Sequence, residues 1–454
     1  MYGYGDTVPR IKKLMNKTMK NIYGTLLMAI LTIGTLLCAA SCGKHGKPSE
    51  NRKVMIMMSL GYNSISGYLQ DDIKDLQAGY VPGNGSSADI LLLYSKQTKK
   101  YKDYSTPSES ALIRIYKNKK NVVVMDTLKT YPSTKISTSP ETMHEVLSYI
   151  QQEFKARSYG IVYSSHGTGW LPAGYYANPS KYESKSISPS SAGDRTGRLP
   201  AGAVPYVEIP QDPSLPAVKT FGQEVVSTGS GDISYETEIE DFAAAIPMHL
   251  DYLLVDACLM GGIEVAYALK DVTDVIGFSQ AEILAEGFDY RTITKHLLQG
   301  KDPDPVSVCK DYFDYYNNMS TSSERSATIS IVDCGKLDAV ASVAKNLFEK
   351  YRSEIASVNP SKVQGYFRNG RHWFYDLEDI LIKSGASESD IKALSDAISA
   401  SILYKGATPS FLDAFDITHF SGYSMYLPCN GSEYLDNFYR TLSWNKATAL
   451  VPAK

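Results

Sequence analysis

Two residues of the chain, Cys258 and His166, have the types and positions that nucleophilic catalysis requires. Cys258 comes shortly after the apolar run 252–255, and His166 comes shortly after the run 160–163. A thiolate attacks a carbonyl carbon, and a neighbouring imidazole takes the thiol proton and later returns it to the leaving group. The two residues therefore predict acyl-transfer chemistry, provided that the ends of the two runs are neighbours in the fold.

Small residues next to both positions fit the same chemistry. The backbone N–H of Gly167 is open to close approach by a substrate, and the N–H of Cys258 would be a second donor to an oxyanion. Gly261 and Gly262 allow the chain to turn sharply beneath the nucleophile. Each feature alone has a commoner explanation, since a free cysteine is usually a buried packing residue and His-Gly usually marks a turn. The combination is more specific than either part.

The elements that must position these residues follow from the hydrophobic pattern. Short runs rich in Val, Ile, Leu and Tyr alternate with helical patterns, which predicts a mainly parallel sheet covered by helices on both faces. The other predicted strands are 54–59, 89–94, 272–279 and 328–333, together with a hairpin of 112–116 and 122–125. Ligands bind at the carboxyl ends of parallel strands, so one cleft would hold both His166 and Cys258.

Two segments depart from this alternation. Residues 171–222 are rich in Ser, Pro and Gly without a clear period, and they form a long loop between the two candidate catalytic residues. Loops of this length are usually functional or disordered, and a loop here could cover the site until it is cut. After residue 335 the pattern is mostly helical. We therefore predict a main domain at 53–335 and a smaller, mostly helical C-terminal subdomain at 336–454.

Residues 1–42 have the features of an export signal. Four lysines precede an apolar stretch at about 22–37, which is short for a spanning helix and ends in small residues. The end of this stretch resembles a bacterial lipoprotein cleavage box with Cys42 as the modified residue, which predicts a lipid anchor to a membrane. Plain secretion is the alternative. Residues 43–52 are polar and predict a flexible tether, so we expect the protein in the cell envelope or outside the cell.

Composition and cysteine usage exclude several classes of function. The formal net charge is -3, and the body of the chain has no dense Lys/Arg stripe, which argues against a nucleic-acid partner. The four cysteines after the leader show no C-x-x-C pair and no zinc spacing, and no Asp/Asn loop has EF-hand spacing. We predict no cofactor and no dedicated metal site. One disulfide among Cys309, Cys334 and Cys429 is left open.

At His166-Gly167 and at Asp256-Ala257-Cys258 the chain resembles the clostripain family of caspase-like cysteine peptidases. Weaker matches occur at Asn63, 279–282 and 287–290, and the likeness covers about 53–428. The resemblance implies a caspase-like αβα sandwich and a Cys–His dyad without an obligatory third member. It also implies cleavage after Arg or Lys, and activation by a cut in the loop between the His and the Cys.

The resemblance also implies roles for single residues. His166 would be general base and then acid, Cys258 the nucleophile and Gly167 an oxyanion donor. Asp256 matches the acid associated with the pocket for the basic side chain, although a structural carboxylate is the alternative. Glu282 and Glu286, with Asp289 beside them, are candidates for a second substrate-binding acid. The candidate self-cleavage sites in the loop, where solvated surface charge is the default explanation, are Lys181, Lys185, Arg195, Arg198 and Lys219.

The sequence thus predicts a lipid-anchored or secreted cysteine endopeptidase that acts on polypeptides with basic residues and processes its own loop. One rival is a non-catalytic binding lipoprotein of the cell envelope on the same scaffold. The other is a peptidase of the same fold with a different side-chain preference, in which Asp256 is structural.

Overall fold

The computed structural model describes residues 52–183, 203–207, 214–219, 223–228 and 231–454. The predicted signal peptide with Cys42, and the tether up to residue 51, lie outside the described residues. Glu50–Asn84 and Ala88–Lys454 cluster as one compact unit. Within the described ranges, no helix is both long and apolar enough to cross a bilayer.

The strands of the described residues range from two-residue pairings to nine-residue strands. In chain order they are β1 (Lys53–Gly61), β2 (Ile90–Gln97), β3 (Ser110–Lys117), β4 (Val123–Tyr131), β5 (Ser158–Ser164), β6 (Ala203–Pro205), β7 (Val218–Lys219), β8 (Glu224–Thr228), β9 (Gly231–Tyr235), β10 (Leu250–Asp256), β11 (Thr273–Phe278), β12 (Ile283–Leu284), β13 (Thr328–Asp333), β14 (Tyr375–Asp376), β15 (Ile402–Ala407), β16 (Ser410–Phe411), β17 (Phe415–Asp416) and β18 (Ser424–Met425).

The helices lie between the strands and after them. In chain order they are α1 (Ser66–Ala78), α2 (Pro140–Glu153), α3 (Pro179–Glu183), α4 (Ile239–Ala245), α5 (Ile263–Leu269), α6 (Tyr290–Thr294), α7 (Pro305–Asn317), α8 (Leu337–Lys350), α9 (Arg352–Ile355), α10 (Leu377–Lys383), α11 (Glu388–Ser401), α12 (Glu433–Tyr439) and α13 (Ser443–Thr448). A π-helical turn at Lys295–Gln299 follows α6, and 3-10 turns occur at Cys334–Lys336, Pro360–Lys362 and Pro428–Asn430.

A central sheet dominates the described part of the chain. Nine strands pair in the order β15-β13-β11-β10-β5-β1-β2-β3-β4. The five in the middle, from β2 to β11, are mutually parallel, and an antiparallel pair flanks them on each side. All nine residues of β1 are buried, as expected for a parallel strand covered on both faces. The predicted parallel sheet and the predicted hairpin, β3 with β4, are confirmed.

The larger helices form two groups of packed neighbours. One group contains α1, α6 and α7 with the π-helical turn, and the other contains α2, α4, α5, α8, α11 and α13. Local sequence fixes where such helices begin: α2 starts at Pro140, and the Ser139 hydroxyl accepts a hydrogen bond from the Thr142 N–H at 3.2 Å. The arrangement is the predicted αβα sandwich.

The part of the chain after residue 335 is mostly helical, as expected, but it also completes the central sheet. β15 pairs antiparallel with β13 and forms one edge of the sheet. The predicted boundary at residue 335 stays a prediction, because the compact unit continues across it. The long segment 171–222 likewise contains regular structure in its described parts, namely α3, β6 and β7.

Candidate active site

His166 lies just beyond the carboxyl end of β5. The Ser165 hydroxyl donates to the carbonyl oxygen of Leu60 at 2.7 Å, which ties this strand end to the neighbouring β1. The His166 Nε2 atom lies 3.1 Å from the Ser64 hydroxyl, just after the end of β1. Only 3 % of the His166 surface is exposed. The ring therefore contacts a side chain from the end of the adjacent strand β1.

Cys258 lies just beyond the carboxyl end of β10 and is fully buried. Its Sγ accepts a hydrogen bond from the backbone N–H of Ile283 at 3.1 Å. The next residue, Leu259, has a positive φ of 61°, a conformation that bulky side chains rarely adopt. Its N–H donates to the carbonyl of Ala281 at 2.9 Å, so the segment 279–283 secures the strained turn. Strain of this kind is concentrated at functional sites.

The register of the sheet brings the two strand ends together. β5 and β10 are adjacent and parallel, and Asp256 pairs with Ser164. His166 and Cys258 therefore each lie two residues beyond one paired position, and adjacent strands are about 4.8 Å apart. The loops that follow also touch, because a Cβ atom placed on Gly169 would lie 2.6 Å from the carbonyl oxygen of Leu259. The two strand ends and the loops after them are thus neighbours, and a dyad of Cys258 and His166 stays a prediction.

Burial controls the protonation of both groups. Desolvation, with a smaller contribution from the Lys219 ammonium, lowers the pKa of His166 to about 3. Desolvation also raises the pKa of Cys258 well above its ordinary value, and the charge of Glu282 acts in the same direction. Burial thus favours the neutral forms of both groups, the imidazole and the thiol, at neutral pH.

Asp256 lies at the end of β10 and is fully buried. Its Oδ2 atom accepts hydrogen bonds from the Lys219 ammonium at 2.6 Å, the Tyr290 hydroxyl at 2.7 Å and the Ser164 hydroxyl at 3.1 Å. The same ammonium lies 3.3 Å from Asp72 Oδ2, on α1. A basic side chain of this chain is therefore paired with the acid that the sequence singled out.

The backbone at Lys219 is extended and runs alongside β12, whose residue Ile283 donates a hydrogen bond to the Cys258 sulfur. β7 pairs antiparallel with β12, with Lys219 opposite Ile283 and Val218 opposite Leu284. The Ala285 N–H donates to the carbonyl of Ala217 at 2.7 Å. Addition of a strand to an exposed edge is a common way for proteins to bind extended peptides. Residues 217–219 thus lie against the site in the manner of a bound peptide.

The other acids proposed for substrate binding have their own partners. Glu282 is buried and forms a salt bridge with Arg368, Oε2 to Nε, at 2.5 Å. The Glu286 carboxylate accepts from the Tyr315 hydroxyl at 3.1 Å. Asp289 caps α6 through the N–H of Arg291. The described contacts of the Lys219 ammonium go to other residues, and a substrate-binding role for Glu282 or Glu286 stays a prediction.

Aromatic side chains after His166 connect the site to the C-terminal part of the chain. Trp170 lies with its ring centroid 4.8 Å from that of Tyr426 and 5.1 Å from that of Tyr439. Tyr175 lies 5.1 Å from Trp373 by the same measure. These pairs bury large apolar areas and add an attraction between ring edges and faces. The segment that begins at His166 is therefore anchored to residues beyond 370.

The other three cysteines of the described residues are free thiols. Cys309 and Cys334 are buried, Cys429 is half-buried, and the disulfide left open by the sequence is not formed. In the part of the chain that the structure describes, no cluster of three or more His, Cys, Asp or Glu side chains is arranged to hold a metal ion.

Sequence reasoning missed two residues that contact the predicted ones. Ser64 was overlooked although it follows the strand adjacent to that of His166. Asp72 was overlooked although it lies on the buried face of α1 with Leu69 and Leu76. A carboxylate is costly to bury unless it has a partner. The position of Asp72 within an apolar stripe of the helix could therefore have indicated a buried ion pair.

Comparisons with known proteins agree with this geometry. A parallel sheet covered by helices on both faces, with a cysteine at its carboxyl edge, is the architecture of caspase-like cysteine peptidases, and the chain is an enzyme of that class. The family model described as the clostripain family matches residues 58–185 and 219–450, and the chain belongs to this family.

Individual relatives span most of the chain. Clostripain of Hathewaya histolytica is 22 % identical over 456 residues, which cover 86 % of this chain and 77 % of clostripain. The crystal structure of an inactive zymogen C11 protease from Parabacteroides distasonis is similar with a TM-score of 0.65 and 26 % identity, covering 88 % of this chain and 99 % of that one. A secreted C11 cysteine protease from Bacteroides thetaiotaomicron shares the fold with a TM-score of 0.65 at 21 % identity, over 88 % of this chain and 100 % of that one.

Proposed function

We propose that the chain is a cysteine endopeptidase that cleaves after Lys or Arg, with Cys258 and His166 as its dyad, and that it cuts itself after Lys219. One observation carries the proposal. The Lys219 side chain lies in the Asp256 pocket while its backbone pairs with Ile283, whose N–H binds the Cys258 sulfur. The chain thus presents its own lysine as the residue on the amino side of a scissile bond, Lys219–Thr220.

The proposed reaction uses groups on the carboxyl edge of the sheet. The sulfur of Cys258 attacks the carbonyl carbon of Lys219 and its proton passes to His166, while the N–H groups of Gly167 and Cys258 receive the developing oxyanion. His166 then protonates the amine of Thr220 as the C–N bond breaks. Water hydrolyses the thioester, and the carboxylate of Lys219 and the free thiol result.

The Ser64 contact suggests how the imidazole is oriented for this reaction. Because Nε2 is bonded to the Ser64 hydroxyl, we assign proton transfer with the sulfur to the other ring nitrogen, Nδ1. The lowered pKa of His166 keeps the ring neutral at physiological pH, which is the form that accepts a proton. Ser64 is a positioning residue in this scheme.

The uncut chain would be latent towards other substrates. Lys219 fills the pocket, and both Cys258 and His166 are almost completely shielded from solvent. The similar C11 protease from Parabacteroides distasonis is an inactive zymogen, which supports latency here. Cleavage after Lys219 would free the strand 217–219 to leave, and peptides with a basic residue would then take its place.

Self-processing is tested by expressing the wild type, Cys258→Ala and Lys219→Gln as full chains. We expect two fragments from the wild type, with Thr220 at the new amino terminus, and one intact chain from each variant. A Cys258→Ala chain that is cut at the same bond would show that another protease is responsible. Cleavage of Lys219→Gln at another loop residue would show that Lys219 is not the required site.

Activity towards other polypeptides is tested with fluorogenic peptides that end in Lys, Arg or a neutral residue. The cut wild type should hydrolyse the first two, and Cys258→Ala should hydrolyse none. Equal hydrolysis after neutral residues would remove the proposed role of Asp256. Absence of turnover for every peptide would support the rival binding protein.

We further propose that Cys42 carries a lipid anchor and that the protein resides in the cell envelope. The support is the leader sequence alone, since these residues lie outside the described ranges. In a bacterial host, labelled palmitate should be incorporated by the wild type and not by Cys42→Ala, and the variant should move from the membrane fraction to the soluble fraction. Equal labelling of both proteins would exclude Cys42 as the site.

A further inference from the structure

We propose that Asp72 is a second specificity-determining acid of the substrate pocket, and that with Asp256 and Ser164 it makes the pocket select Lys over Arg. The inference rests on the proposed function, because it takes Lys219 as the model of a substrate side chain. Neither the family match nor the sequence pattern pointed to α1 as a source of substrate contacts.

The ammonium of Lys219 has a complete set of oxygen partners. It lies 2.6 Å from Asp256 Oδ2, 3.3 Å from Asp72 Oδ2 and 3.3 Å from the Ser164 hydroxyl. An ammonium has three N–H donors, so each donor has one acceptor. The face of the Tyr290 ring, 5.9 Å from the nitrogen, adds a cation–π contact. The pocket thus matches a compact, three-donor cation.

The end of the pocket leaves no room for a longer side chain. The Lys219 side chain is fully buried. Gly287 lies beside it with a positive φ of 64°, and a Cβ atom there would overlap both Lys219 Nζ and Asp256 Oδ2. An arginine carries a planar fork that is longer and wider and needs acceptors in one plane. It would fit only after the backbone near Gly287 moved.

The charge balance explains why a cation is required. Asp72 and Asp256 belong to different elements, α1 and the end of β10, and the exposed fractions of their side chains are 8 % and 0 %. Two buried carboxylates facing one cavity repel each other when the cavity holds no cation. With a neutral side chain in the pocket, the two carboxyls avoid this repulsion only if one of them takes up a proton, so the second acid sharpens the rejection of neutral residues as well as the preference for Lys.

The experiment compares two fluorogenic peptides that differ only in Lys or Arg before the scissile bond. The enzymes are the wild type, Asp72→Asn and the control Asp71→Asn, whose carboxylate lies on the exposed face of the same helix. Each full chain is cut by an added site-specific protease at a recognition sequence placed at 220–222, so that defects in self-processing do not matter. Titration of the reactive thiol with an alkylating reagent normalises every rate to folded, competent enzyme.

We expect the wild type to favour Lys over Arg by about 10-fold in kcat/KM, a size reasonable for one well-matched polar site. Asp72→Asn should raise KM for the Lys peptide by about 10-fold or more, with a smaller effect on the Arg peptide, so that the ratio falls. Asp71→Asn should behave as the wild type.

Three results would overturn the inference while leaving the proposed function intact. They are a wild type that prefers Arg, an unchanged Lys/Arg ratio in Asp72→Asn, and an equal change in Asp71→Asn. Failure of the proposed function is distinct, because the wild type would then hydrolyse neither peptide. If Asp72→Asn yields no competent thiol, Asp72→Glu keeps the charge at a different distance, and the same change in ratio is expected from it.

Discussion

Replacing Lys219 by Gln in a chain that also carries Cys258→Ala should destabilise the fold by an amount that grows with pH. The second substitution keeps every molecule uncut, so that only the contents of the pocket differ. In the uncut chain the Lys219 ammonium lies between two buried carboxylates, Asp72 and Asp256. The substitution removes the only positive charge that the structure shows in contact with them in the described part of the chain.

The magnitude follows from the titration of Asp72. Burial raises its pKa to about 7, and the Lys219 ammonium keeps it from rising further. When folding raises the pKa of a carboxyl, the free energy of unfolding of the protein falls as pH rises from the unfolded pKa to the folded pKa. Above the folded pKa it falls no further. In the parent, the Cys258→Ala chain, this decrease is complete near pH 7. In the variant that also carries Lys219→Gln, the decrease continues above pH 7, because the ammonium no longer limits the pKa of Asp72.

The free energies of unfolding of the two proteins should therefore diverge by about 1.4 kcal/mol for each pH unit above 7. The divergence is limited by the roughly 3–5 kcal/mol that breaking a buried ion pair costs. Loss of the ion pair with Asp256 destabilises the variant further.

Thermal unfolding of both full chains between pH 6 and pH 9 measures this divergence. Each 1 kcal/mol should shift the midpoint by about 2 °C or less in a domain of this size. Lys74→Gln in the same background is the control, because Lys74 pairs with Asp71 on the surface, where both side chains are 71 % exposed. Unfolding midpoints of variant and parent that differ by a constant amount from pH 6 to pH 9 would refute the reasoning.

Three further predictions concern the site after cleavage. Ser64→Ala should lower kcat by about 10-fold with little change in KM, because the imidazole loses its partner at Nε2, and an unchanged kcat would remove the positioning role. Gly287→Ala should stop self-processing and lower kcat/KM for Lys peptides by about 100-fold, since its methyl group would occupy the end of the pocket; normal fragments on a gel would contradict this. Arg368→Gln should raise the pH midpoint for alkylation of Cys258, because Glu282 would lose its counter-charge beside the thiol, and Arg371→Gln should leave the midpoint in place.

The sequence predicted the central parallel strands of the sheet better than the edge strand β15. The parallel strands are continuous apolar runs, because both their faces are covered, and such runs are visible without further information. β15 was missed because α11 runs directly into it, within a stretch whose pattern is mostly helical. Its residues alternate only weakly, and Leu403 at this edge of the sheet is 48 % exposed. An edge strand covered on one face has a weaker signal than a central one.

The site was predicted from the residues that follow strand ends. This explains why residues at strand ends were identified and why a residue on a helix was missed. His166 and Cys258 were found because the register of parallel strands aligns residues at equal distances beyond the last pair. Asp72 belongs to a helix that packs across the strand ends, and no spacing along the chain reveals that contact. Lys219 was one of five basic residues in its segment, and only the fold shows that it is buried. Lys185, Arg195 and Arg198 lie outside the described residues.

The interleaving of the sheet has a consequence for the protein once it has been cut. β1, β2 and β5 precede Lys219, whereas β10, β11 and β13 follow it, and the two sets meet at the β5–β10 pair. Cleavage there would yield two polypeptides that share one hydrophobic core and co-purify under native conditions. Their reassembly from denaturant would be a bimolecular process that slows on dilution, whereas the intact precursor would refold at a rate independent of concentration. Maturation would thus convert a chain that can recover from unfolding into an enzyme that persists only as long as its halves stay together.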